Sequence, residues 1–188
     1  MKYFYILLCL ISITASAQNP CEFDADVKDS VGTYKSTKEY LVYERNFAGN
    51  FANMQFSIAL TDGMPTLNMQ YIQKSKDFIK ANCLDKNSRI YLQLNNGKIV
   101  TLIHIDTENC GTSVRDDKGY SHRIMQGIFM FMKDSFNDLK SSPVSVMRIK
   151  YTTETVDYIF KEALKSEADG KIYKPESYFM TVLPCLDN

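Results

Sequence analysis

The stretch RIYLQLNNGKIVTLIH, Arg89 to His104, decides how this chain is expected to fold. Two runs of alternating residues flank Asn96-Gly97. That dipeptide suits a two-residue type I′ turn, because both central positions need positive φ and Asn and Gly tolerate it. Folding about the turn sets Leu94 opposite Ile99, Leu92 opposite Thr101 and Ile90 opposite Ile103. The other side pairs Gln93 with Val100, Tyr91 with Leu102 and Arg89 with His104. One side is then almost wholly apolar, as an antiparallel hairpin with one buried face requires.

A second unit upstream has the same form. Met54, Phe56, Ile58 and Leu60 alternate with Gln55, Ser57, Ala59 and Thr61, the period of a half-buried strand. Asp62-Gly63 turns the chain, and Leu67, Met69 and Tyr71 alternate on the return. Pro65 lacks an N–H, so it belongs at an edge or a strand start. Before this unit, GTYKSTKEYLVYER reads as one or two strands, with Tyr40 and Val42 on one side and Leu41 and Tyr43 on the other.

After it, RIMQGIFMFMK is apolar on both sides: Ile124, Ile128, Met130 and Met132 point one way, and Met125, Phe129 and Phe131 the other. Such a strand is expected at the centre of a sheet, covered on both faces. Asp134 reads as the N-cap of a short helical turn through Leu139, stopped by Pro143. VSVMRIKY follows as a strand with Met147, Ile149 and Tyr151 on one face. The segment 154–169 fits a helix through Val156, Ile159, Phe160, Ala163 and Leu164, while its first half also alternates as a strand would. Pro175 opens a short terminal helix with Tyr178, Phe179, Val182 and Leu183.

These elements imply a mainly β fold bordering α+β. They form a single domain over 18–188, an antiparallel meander or sandwich-like sheet with short helices toward the C-terminus. Residues 1–17 read as a signal peptide: Lys2 is the positive start, Phe4 to Ile13 the apolar core, and Ala15-Ser16-Ala17 the small residues before cleavage ahead of Gln18. The apolar run is far short of the roughly 20 residues that span a bilayer, so no membrane span is expected. The leader resembles those of exported bacterial proteins, and the implied location is secreted or periplasmic. The chain has 22 basic and 22 acidic residues with no long run of either sign. That excludes the basic stripe of a nucleic-acid binder.

Four cysteines remain after such cleavage, and an even number in an exported chain implies disulfides. Both hairpin units run strand, turn, strand and then a loop to a cysteine. If the hairpins are neighbours, Cys83 and Cys110 can meet, and a bridge there stabilises by roughly 3 to 4 kcal/mol. Cys21 and Cys185 sit near the mature ends, which often lie close together, and form the second expected pair.

Catalytic chemistry is poorly supported by the spacing. Both histidines, His104 and His122, bracket a stretch with Asp106, Glu108, Cys110, Asp116 and Asp117. Zinc favours closely spaced ligand pairs, and here there is neither Cys-x-x-Cys nor His-x-x-x-His, so no metal or cofactor is expected. A disulfide-bonded Cys110 cannot serve as a nucleophile. Asp85-Lys-Asn87-Ser-Arg89 begins like a calcium loop but carries Ile90 where the sharp turn needs Gly. The expected reading of TSVRDDKGYSH is a polar connection between strands.

Two features invite a binding reading. Tyr34, Tyr40, Tyr43, Tyr71, Tyr91 and Tyr120 could form a contact face, with Tyr91 and Tyr120 the leading candidates, and methionines cluster around the Ile124–Met132 strand. The leading expectation is a non-catalytic exported domain that binds a protein, a glycan or a small apolar ligand. The alternatives are a hydrolase using His104, Asp106, Asp116, Asp117 and His122, and a structural envelope component.

Overall fold

The Asn96-Gly97 hairpin forms one residue out of the expected register. In the computed structural model, which describes residues 21–132 and 135–186, Gln93 pairs with Ile99, Leu92 with Val100, Tyr91 with Thr101 and Ile90 with Leu102. The loop has three residues instead of two. Gly97 N–H donates to the Leu94 carbonyl at 3.0 Å, and Leu94 N–H donates to the Lys98 carbonyl at 2.9 Å. Gly97 takes a φ of +85° while Asn96 stays at negative φ, which rules out the type I′ form. Two bonds from outside the hairpin hold this shape: Asn95 N–H donates to the Pro143 carbonyl at 2.9 Å, and Asn96 N–H to Ser142 Oγ at 3.2 Å.

A one-residue shift exchanges the faces of the return strand. Val100, Leu102 and His104 therefore turn into the core, and Ile99 and Ile103 turn outward.

In chain order the first strands are β1 (Phe23–Lys28), β2 (Thr33–Thr37), β3 (Tyr40–Phe47), β4 (Asn50–Thr61) and β5 (Met64–Ser75). Then come β6 (Arg89–Leu94), β7 (Ile99–His104), β8 (Thr112–Arg115) and β9 (Ser121–Phe131). Helix α1 (Ser135–Ser141) precedes β10 (Val144–Lys150), β11 (Thr155–Ile159), β12 (Leu164–Lys165) and β13 (Ile172–Tyr173). Helix α2 (Tyr178–Val182) lies between 3₁₀ turns at Pro175–Ser177 and Leu183–Leu186. The leader, its cleavage position and the Asp134 cap lie outside the described residues.

Eleven strands make one antiparallel sheet in the order β1-β2-β4-β5-β9-β7-β6-β10-β11, with β3 added to β4 and β8 to β9. The mainly β, single-domain reading with short helices near the C-terminus is what the chain forms. The β4–β5 hairpin has the two-residue turn that its sequence implies: Asp62 and Gly63 take φ of +49° and +80°, and Thr61 pairs with Met64.

The two long hairpins are not neighbours. β9 runs between them, paired with β5 along its length and with β7 near its end. The exit loops still meet, through an isolated bridge between Leu84 and Asn109, and Cys83 is bonded to Cys110 beside it. Cys21 is bonded to Cys185, tying the start of β1 to the C-terminal turn. Two disulfides suit an oxidising compartment. Among the described residues, no helix is long and apolar enough to cross a membrane.

Three other expectations need correction. β9 is central by pairing but covered on one face only: Met125, Phe129 and Phe131 are buried, whereas Ile124 and Met130 are 45% and 41% exposed. The reason is that the helical pieces all pack on the inner side of the curled sheet. There the Phe179 ring lies 6.2 Å from Phe56 and 6.3 Å from Phe131. The segment 154–169 contains β11 and β12, not a helix. Pairing with β10 buries Tyr158, and Phe160 N–H donates to the Ser145 carbonyl, so the period-two half of the pattern prevails. TSVRDDKGYSH is a hairpin whose first arm, β8, pairs with the start of β9. A smaller departure is a register shift between Leu41 and Tyr43, which lets Leu41 and Val42 both be buried.

Candidate functional site

The inner face of β3, β4 and β5 changes character along its length. Register places Phe56 beside Met69, then Met54 beside Tyr71 and Tyr43, then Ala52 between Gln73 and Arg45. Asn50 and Phe47 follow, with Ser75 hydrogen-bonded to the Asn50 side chain. The first of these rows are buried under Tyr178 and Phe179. The last rows are polar or small, and the C-terminal plug does not reach them. A sheet face that turns from Met and Phe to Gln, Ser, Asn and Arg cannot be core there, because each buried polar group would need a partner.

The result is an open cleft of about 520 Å³ at this mouth, lined by Tyr43, Arg45, Phe47, Ala52, Tyr71 and Gln73, with Phe78 and Lys80 on the loop that follows β5. Ile79 anchors that loop in the core, while Phe78 beside it is 89% exposed. The Asp77 N–H donates to Ser75 Oγ at 2.9 Å, fixing where the loop leaves the strand. Lys80 is committed to Glu154 across the cleft at 2.8 Å. Lys74 also borders the cleft, with Nζ 4.6 Å from the Tyr120 ring centre. Arg45 lies 5.8 Å from the Phe47 ring centre and forms no ion pair among the described residues.

Behind Tyr43 and Tyr71 lies a tyrosine cluster. Tyr158 stands edge-on to both, with centroids 5.0 and 6.0 Å away, and its hydroxyl is 2.9 Å from that of Tyr151. Burial pushes the Tyr71, Tyr151 and Tyr158 hydroxyls above the usual phenol range. They are neutral hydrogen-bonding groups at physiological pH and do not act as bases. The cleft therefore offers ring faces, amides, hydroxyls and one uncommitted guanidinium; its uncommitted carboxylate, Asp77, is exposed on the loop.

The residues singled out for a hydrolase do not converge. His104 is 2% exposed on the inner face, packed 5.2 Å from the Phe129 ring, with Nδ1 3.0 Å from the Asp85 carbonyl. His122 lies on the other face of the sheet, since it alternates with Met125, Gly127 and Phe129 along β9. Its Nε2 meets Asp116 Oδ2 at 2.8 Å. The His122 contact, joined by the Tyr120 N–H, holds the Asp116 carboxyl below the usual carboxylate range. That pair closes the β8–β9 turn. Asp117 is exposed on the same turn, and Asp106 borders an outer-face groove of about 340 Å³ beside Gln55, Gln70 and Gln126. Among the described residues, no group of three or more His, Cys, Asp and Glu side chains could hold a metal ion.

Tyr91 and Tyr120 also lie apart. Tyr91 lines a shallow outer groove with Ile99, Val146 and the Arg148–Asp157 pair, whereas Tyr120 sits under Lys74 and Lys76 at the opposite end of β9. Apart from Tyr43 and Tyr71, named among the tyrosines of a possible contact face, the residues of the mouth cleft were missed in the sequence. A signal was present: the β5 alternation Leu67, Met69, Tyr71 continues as Gln73 and Ser75 at the same inward parity. No family model, curated protein or solved structure matches this chain.

Proposed function

We propose that this protein is a non-catalytic exported binding domain that takes a small amphiphilic carboxylate in the mouth cleft. Its apolar body would lie against Phe47, Phe78 and Tyr43, and its carboxylate would meet Arg45. The observation that carries the reading is the change of the inner face from Met54 and Phe56 to Ala52, Gln73 and Arg45. A concave site with ring faces and few convergent polar groups is the usual form of a small-molecule pocket. Guanidinium is the side chain best matched to a carboxylate. The separation of His104 from His122 by the sheet itself supports a role without catalysis.

The chain has no tryptophan, so a Phe78→Trp variant carries a single reporter on the rim. Titration with dodecanoate is expected to shift the Trp emission saturably at one ligand per chain, with dodecanol binding roughly ten-fold or more weaker for want of the charge-assisted bond. An unsaturable response, or equal affinity for the alcohol, would count against this function.

A further inference from the structure

We infer that the rim of the mouth cleft docks on an anionic lipid bilayer surface. The first observation is the placement of exposed aromatic side chains. Among the described residues, Phe47 and Phe78 are the two exposed phenylalanines, at 66% and 89%, and both border this cleft. Phe47 precedes the tight Ala48-Gly49 turn joining β3 to β4, and Phe78 protrudes from the loop after β5. An exposed phenyl ring gains by entering the interfacial layer of a membrane.

The second observation is the charge around those rings. Arg45, Lys74 and Lys80 border the same cleft as those rings and Lys76 stands two residues before Phe78; Lys80 is paired with Glu154, which leaves Arg45, Lys74 and Lys76 against the single carboxylate of Asp77. Lys74 and Lys76 both stack on Tyr120, at 4.6 and 5.1 Å from its centre, which gathers two ammonium groups on one side of the rim. Exposed rings flanked by lysines whose stems can lie along apolar surface are what an anionic interface favours. A protein partner would not require the lysines, and a neutral bilayer would not reward them. The docking surface is distinct from what the cleft holds, although a cleft opening at a bilayer is well placed to receive an amphiphile.

The test uses co-sedimentation of the full chain with vesicles of phosphatidylcholine alone and of phosphatidylcholine with phosphatidylglycerol. Binding to the phosphatidylglycerol vesicles is expected, and it should weaken as salt is raised. Phe78→Ser and Phe47→Ser are each expected to lower the partition coefficient by about ten-fold or more. Lys76→Glu, which lies outside the cleft lining, should lower it by roughly ten-fold or more while leaving dodecanoate binding unchanged. Equal partition onto both vesicle types, no partition at all, or wild-type partition by Phe78→Ser and Lys76→Glu would each overturn the docking surface. Normal melting curves for the variants confirm that folding is not what changed. Loss of dodecanoate binding with vesicle binding intact would instead remove the proposed function and leave the docking surface standing.

Discussion

The two halves of the inner face of β3–β5 are built from the same strands in continuous register, yet they do different work. In one half Met54, Phe56, Ile58, Leu67 and Met69 are buried beneath the C-terminal plug. In the other, two to six residues farther along, Ala52, Asn50, Gln73 and Ser75 face an open cleft. The strand pairing is equally regular in both. What differs is the cover: Tyr178, Phe179 and Leu183 fill the first half, whereas the second is bordered by the post-β5 loop, through Phe78, Ile79 and Lys80, and by Glu154. A strand can thus be core over part of its length and line a cleft over the rest, with the boundary written in the polarity of its inward residues.

The sharpest way to break this comparison is to truncate matched positions in the two halves. Phe56→Ala should lower unfolding free energy by about 3 to 5 kcal/mol, since it opens a cavity among Phe160, Tyr178 and Phe179. Gln73→Ala, one face-row beyond Tyr71, should change stability by no more than about 0.5 kcal/mol. Denaturant melts of both variants decide this. Comparable losses would mean that the mouth is packed core.

A weaker perturbation, pH, probes the buried tyrosines packed behind both halves. The hydroxyls of Tyr151, Tyr158 and Tyr178 are held above the usual phenol range by burial. The unfolded chain releases those protons near pH ~10 and the folded chain does not, so stability is fully present below that point and falls as pH rises beyond it. Melting temperature recorded from neutral to strongly alkaline pH should drop steeply past the phenol range. Tyr158→Phe should flatten the drop.

The smallest effect concerns the β8–β9 hairpin. The lowered carboxyl pKa of Asp116 implies a contribution present above the ordinary carboxylate range and lost as pH falls through the folded value. Asp116 is well solvated, so Asp116→Asn is expected to leave the global melt nearly unchanged. Amide exchange at Lys118 and Tyr120 should nonetheless quicken, because the turn loses the carboxylate that accepts from those two amides.

Much of the framework was legible in the sequence because alternation and turn dipeptides are local signals. Asp62-Gly63 gave its turn correctly. Asn96-Gly97 did not, and the cause is visible in β7: IVTLIH carries apolar residues at both parities, Ile99 and Ile103 against Val100 and Leu102. Either register buries a comparable face, so the choice fell to bonds from Ser142 and Pro143, more than forty residues away. The same blindness to tertiary partners left β11 open between helix and strand, a choice made only when β10 offers an edge. It also concealed the mouth cleft. Histidines and carboxylates drew attention to 104–122, whereas the cleft is made of Arg45, Gln73 and Phe78, ordinary residues made conspicuous only by which face they occupy.

The most direct test of the central claim is a titration of the ¹⁵N-labelled protein with dodecanoate, read amide by amide. The account predicts shifts concentrated at Arg45, Ala52, Gln73, Ser75 and Phe78, with the buried half around Phe56 and Met69 barely moved. Shifts centred on Gln55, Gln70 and Gln126 of the outer groove, or a spectrum that does not respond, would contradict it.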